Sequence, residues 1–185
     1  MNTALILIDV QESFRQRPYW NADAAQPFLA RANALIDGCA SRQIPIVRIL
    51  HSDGPAVAAN PFAIESGHVR PLEELAHFEA AAEFVKRRHS ALVGTGLGVW
   101  LRQQNIGRLI VAGIRTEQCC ETTTRHASDE GWTVDFCAEA TLTFDMQHLD
   151  GSPLPARDIV DRTTAVLTGR VATICTVEEA LARAR

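Results

Sequence analysis

Uninterrupted apolar runs recur along this chain with amphipathic stretches between them, and that alternation limits the fold more than any other feature. Residues 3–8 read TALILI and stop at Asp9. A strand that is apolar at every position is buried on both faces, as central strands of parallel sheets are. Similar runs occupy residues 44–50, 108–112, 132–137 and 171–175, with a weaker one at 82–85. Helical spacing fills the gaps: Phe28, Ala32, Leu35, Ile36 and Cys39 form one stripe, Leu97 and Leu101 lie a turn apart behind a Thr95 cap, and a helix follows Thr116 and closes at Gly131. Ile159, Thr163, Val166 and Leu167 mark a further helix stopped by Gly169, and Thr176-Val-Glu-Glu179 is a capping-box pattern opening the last one. Strands alternating with helices predict an α/β fold, a three-layer α/β/α sandwich around a mostly parallel, Rossmann-like sheet of about six strands. Residues 51–73 and 140–155 fit neither pattern and read as functional loops within one domain spanning 1–185.

In such a sheet ligands bind beyond the carboxyl ends of the strands. Asp9 follows the first run, Lys86 the third, and Gly113-Ile-Arg-Thr-Glu-Gln-Cys119 the fourth. A carboxylate, an ammonium and a thiol are thereby predicted to converge on one edge. Cys119 falls at the first turn of a helix, where free N–H groups and the positive dipole end favour a thiolate and lower the thiol pKa. Asp9 closes a strand that is expected to be central, so it needs a partner, and Lys86 is the best one available. A carboxylate beside a thiol suits proton transfer: Asp9 takes the thiol proton and returns it to a leaving amine.

The chain has 185 residues and five cysteines, none in a C-x-x-C spacing. Cys39, Cys137 and Cys175 lie in apolar stretches, and Cys120 points about 100° away from Cys119 on a helix, so these four read as packing. The formal net charge of −4 gives no basic excess for binding nucleic acid. The N-terminal apolar run is too short for a signal peptide or a membrane span, so a reduced, cytoplasmic setting is expected. Gly94-Thr-Gly96-Leu-Gly98 lacks a glycine at Val99 and does not follow an apolar strand directly, so it reads as a loop entering a helix rather than a dinucleotide site. His51, Asp53 and His68 are metal-ligating types in loose spacing, and a loop histidine is more often a solvated polar residue.

The three ordered elements, Asp9-Val-Gln-Glu-Ser-Phe14, Lys86 and Gly113–Cys119, resemble the isochorismatase-like cysteine hydrolases, a superfamily that includes nicotinamidases and N-carbamoylsarcosine amidase. The resemblance implies a catalytic triad of Asp9, Lys86 and Cys119. It further implies a cis peptide between Ile114 and Arg115, an oxyanion hole from the backbone N–H groups of Arg115 and Cys119, and Gln11 and Phe14 near the pocket. Tyr19 and Trp20 are expected to help shape it. The Arg115 side chain, standing where the family commonly has small residues, either meets an anionic substrate or reaches solvent. The function the resemblance implies is cysteine-dependent hydrolysis of a C–N bond in a small amide, carbamoyl or ureido compound through a thioester, with no cofactor and a homo-oligomeric state (dimer or tetramer). The alternatives are a non-amide hydrolase of the isochorismatase type, or a silent small-molecule binder on the same fold. Nicotinamidases carry Asp-x-His for a metal, whereas the order here is His51-Ser-Asp53, which argues against a metal site.

Overall fold

Residues 2–184 are described by the computed structural model. Along the chain the elements are β1 (Asn2–Ile8), α1 (Ala22–Ser41), β2 (Ile46–His51), β3 (Ala82–Lys86), α2 (Leu97–Gln103) and β4 (Ile106–Ile114), followed by α3 (Glu121–Asp129) and β5 (Thr133–Leu142). A short hairpin of β6 (Met146–Gln147) and β7 (Pro153–Leu154) then leads to α4 (Ala156–Leu167), β8 (Thr173–Cys175) and α5 (Val177–Arg183).

Six strands make one parallel sheet in the order β3-β2-β1-β4-β5-β8. β1 lies at its centre, paired with β2 and β4, and its unbroken apolar run is explained by its two faces. Leu5 and Leu7 enter one core with Phe28, Ala32, Leu35 and Ile36 of α1 and Ala180 of α5. Ala4, Ile6 and Ile8 enter the other with Leu97 and Leu101 of α2, Ala127 of α3 and Leu167 of α4. The predicted three-layer sandwich is therefore the fold observed.

Local signals explain several boundaries. The Asn21 side chain caps α1 by accepting from Ala24 N–H, and the Thr176–Glu179 capping box opens α5 as its spacing predicts. Thr95 does not occupy the cap position of α2, which is Gly96, but its hydroxyl still accepts from Leu97 N–H at 3.2 Å. Val166 is exposed on α4, so the buried stripe there is Ile159, Thr163 and Leu167. The weak apolar signal of 82–85 belongs to an edge strand with Val85 facing out. β5 continues five residues beyond Cys137, because its pairing with β4 jumps from Val111↔Phe136 to Gly113↔Thr141 across an irregularity. Half of what reads as loop at 140–155 is thus strand end and hairpin.

Strand order reverses around β1. The chain runs outward through β2 and β3, then returns to place β4 on the other side of β1. The crevice between the ends of β1 and β4 is the switch point at which an open α/β sheet offers a ligand site.

Candidate active site

Asp9 follows β1 directly and is fully buried, with a backbone φ of 53° that non-glycine residues seldom adopt. β4 passes beneath it: a Cβ on Gly113 would stand 1.9 Å from the Ile8 carbonyl oxygen, so only glycine lets the two strands approach this closely here. After β4 the Ile114–Arg115 peptide is cis. Residues Thr116–Cys120 then form one π-helical turn, with Cys120 N–H donating to the Arg115 carbonyl at 3.2 Å, before α3 begins. Cys119 therefore sits inside a π turn ahead of the α-helix rather than in that helix's first turn.

Lys86 ends β3, two strands away from β1, a span of roughly 9–10 Å at ordinary strand spacing. Its fully buried side chain points back past β2 toward β1. Nζ reaches Asp9 Oδ2 at 2.8 Å, His51 Nδ1 at 3.1 Å and Cys119 Sγ at 3.2 Å. Nζ thus makes hydrogen bonds to His51 and Cys119 and an ion pair with Asp9, neither of whose carboxylate oxygens has a hydrogen-bond partner of its own.

Burial raises the Asp9 carboxyl above its ordinary value, against the pull of Lys86. Burial and then the Asp9 charge push the Cys119 thiol up to about 12, with Lys86 opposing. That direction reverses the depressed thiol pKa predicted from a helix start. Desolvation and a neighbouring carboxylate outweigh the few partial charges of one turn. The resting thiol is consequently protonated beside the Asp9 carboxyl group.

Cys119 opens into a cavity of about 270 Å³, whose wall includes Phe14, Tyr19, His51, His89 and Arg115. Of the residues expected at this pocket from the sequence, Phe14, Tyr19 and Arg115 line it. Gln11 does not: it is fully buried, and its amide clamps the His51 backbone, donating to the carbonyl at 2.9 Å and accepting from the N–H at 2.7 Å. Trp20 does not either. It packs on Phe144 at 5.8 Å and lines a separate hollow with Leu29 and Asn33.

Two contributors escaped the sequence reading. In the sequence His51 reads only as a metal-ligating type, yet its Nδ1 accepts from Lys86, and burial followed by the Lys86 charge lowers its pKa to about 4, leaving the ring neutral. His89, with Nδ1 3.8 Å from Cys119 Sγ, lies three residues beyond Lys86, and that proximity in sequence was the available signal. Asp53 comes within 4.0 Å of His51 Nε2, but His68 is absent from the cavity wall, and its carbonyl accepts from Ser13 instead. Among the described residues no three His, Cys, Asp or Glu side chains are grouped to hold a metal ion. The other four cysteines are buried and free. Gly96 and Gly98 stand at the cap and first turn of α2, so the glycine-rich segment is a helix entry.

A family model described as the isochorismatase domain matches residues 3–179. The chain belongs to the isochorismatase family. It is 26% identical over 181 residues to the uncharacterised isochorismatase family protein YrdC of Bacillus subtilis, covering 95% of this chain and 92% of that one. Nicotinamidase 3 of Arabidopsis thaliana is 27% identical over 160 residues, 76% of this chain and 73% of the relative. The solved structure of a cysteine hydrolase from Pseudomonas syringae superposes with a TM-score of 0.88 at 21% identity, covering 98% of this chain and 92% of the other, a likeness of fold. This isochorismatase family is one of hydrolases, and the present member has a buried cysteine in the wall of its cavity.

Proposed function

We propose that this chain hydrolyses a C–N bond in a small amide, carbamoyl or ureido compound, with Cys119 as nucleophile, Asp9 as general base and acid, and Lys86 as the balancing cation. The observation that carries this reading is the buried cluster in which one ammonium contacts both the carboxylate and the thiol sulfur, with the cysteine in the cavity wall. The similarity to a nicotinamidase, an amide hydrolase by name, supports the same bond type.

In the first step Sγ attacks the substrate carbonyl carbon while its proton passes to Asp9, so no free thiolate has to exist beforehand. The Lys86 ammonium, ion-paired to Asp9 and hydrogen-bonded to Cys119, balances the charge that moves between them. The developing oxyanion is received by the backbone N–H groups of Arg115 and Cys119, fixed by the turn that follows β4. Protonated Asp9 then gives its proton to the departing nitrogen, the C–N bond breaks, and a thioester remains. Asp9, again a carboxylate, takes a proton from water, the hydroxide oxygen adds to the thioester carbonyl, and the acid leaves as Sγ recovers the proton. A carboxyl whose pKa burial has raised is better suited to this two-way traffic than an ordinary one.

The test is ammonia release from a panel of small amides and ureides, run beside Cys119→Ala. Loss of about a thousandfold or more in kcat is expected for the variant on any compound the native protein hydrolyses. Retention of the native rate by Cys119→Ala would falsify the proposal.

A further inference from the structure

Most polar groups on the cavity wall are already satisfied from within the protein. The Asn60 amide donates to the carbonyls of Asp53 and Pro55 and accepts from Phe62 N–H. Asp53 Oδ1 accepts from Gly54 N–H, and His51 Nδ1 is taken by Lys86. The arginines are different. Arg115 uses Nε on Glu117 at 3.2 Å, and its guanidinium is held 5.4 Å from the Tyr19 ring and 5.6 Å from the Phe144 ring. Its terminal nitrogens carry no hydrogen bond among the described residues. Arg17 also lines the cavity, 5.7 Å from the same Tyr19 ring, with no ion pair among the described residues. Two guanidinium groups thus share one aromatic ring at the cavity, in a chain whose overall charge is −4.

We propose that the substrate carries a carboxylate, received by Arg17 and the terminal nitrogens of Arg115, while its amide or carbamoyl carbon lies at Cys119. The proposal rests on the hydrolase reading above and narrows it to amido- or ureido-acids. Guanidinium groups match a carboxylate in two parallel N–H···O bonds, and such charge-assisted bonds are among the strongest a small ligand can make. Arg115 is pre-positioned by its two rings and by Glu117, so little side-chain freedom is lost on binding. The acidic chain repels anions at long range, and with Arg115 balanced by Glu117 the uncompensated local charge is that of Arg17. Arg17, on the exposed lip, supplies charge that no protein carboxylate offsets. The cavity, slightly below the roughly 300–1,000 Å³ of drug-sized sites, suits a compact acid.

The experiment measures binding by calorimetry to the full chain carrying Cys119→Ala, so that nothing is consumed. The probes are N-carbamoylglycine, N-carbamoyl-β-alanine and N-carbamoyl-γ-aminobutyrate, each against its own methyl ester, with inorganic phosphate as a separate arm. At least one acid is expected to bind about tenfold or more tightly than its ester, a difference of about 1.4 kcal/mol. Adding Arg17→Gln, at an exposed position with no ion pair among the described residues, should collapse that ratio toward one. Equal binding of acid and ester, no binding of any acid, an unchanged ratio in Arg17→Gln, or phosphate binding more tightly than every acid would each overturn the proposal. Acid preference without turnover by the native protein would remove the hydrolase reading and leave this subsite standing. Turnover of neutral amides without acid preference would do the reverse.

Discussion

Lys86 binds three partners with three protons, and that stoichiometry makes each partner matter. His51 Nδ1 accepts one of them at 3.1 Å, so removing the ring leaves a buried N–H without a partner, a loss of about 1–3 kcal/mol. His51→Leu is therefore expected to lower kcat about tenfold or more, through an ammonium that no longer rests between Asp9 and Cys119. His51→Asn places an amide oxygen near the position of Nδ1 and should recover a large part of that rate. Steady-state kinetics on the two variants decide it, and equal impairment of both would show that the Lys86 contact is not what His51 contributes. Asp9 makes a second prediction. Its carboxyl is raised from 3.8 by burial, and once protonated it is no longer a base that can take the thiol proton. Activity should accordingly fall as pH drops through this raised value, giving kcat/KM an acid limb above that of an ordinary aspartate. A pH–rate profile flat down to the ordinary range would contradict the role given to Asp9.

At the level of elements, the site depends on how closely β1 and β4 approach. Gly113, at φ 133°, has no room for a Cβ against the Ile8 carbonyl, and the clash is with backbone, which cannot rotate aside. Gly113→Ala is expected to destabilise the fold by about 3 kcal/mol or more and to lower the urea midpoint, because the strands must separate where Asp9 and Cys119 are positioned. A midpoint unchanged from native would show that the strand pair is more compliant than its geometry implies. The edge strand β3 illustrates how element-level context misleads a reading of composition. Ala82–Lys86 looks weakly apolar because one edge and part of one face meet water, yet its last residue is among the most buried of the chain.

Across the whole molecule, the buried thiols link stability to pH. Cys39, Cys119 and Cys120 have raised pKa values through burial, and Cys137 chiefly through its neighbour Cys175. Between the unfolded value of 9.0 and the folded value of about 12 for Cys39, the unfolded chain has released a proton that the folded chain keeps, so stability falls as pH rises. Near pH 10.5 the loss is about 2 kcal/mol for Cys39. Urea midpoints should drop steeply between about pH 8 and pH 10.5, and less steeply in Cys39→Ala, whatever that variant does to absolute stability. An identical pH slope in native and variant would exclude Cys39 as a contributor. The sequence by itself determined the layered α/β architecture, since TALILI can be buried only in a sheet covered on both faces, and helical stripes supply the covers. It also placed Asp9, Lys86 and Cys119 at strand ends, because a polar residue after an apolar run marks where a strand leaves the core. Strand order lay beyond it, and strand order puts β2 between β1 and β3, making His51 the bridge that Lys86 crosses. The direction of the Cys119 pKa, the exclusion of Trp20 and Gln11 from the cavity, and the pairing of Arg17 with Arg115 around Tyr19 also needed the tertiary structure. Each depends on distances and desolvation between residues far apart in sequence, and a local pattern carries neither.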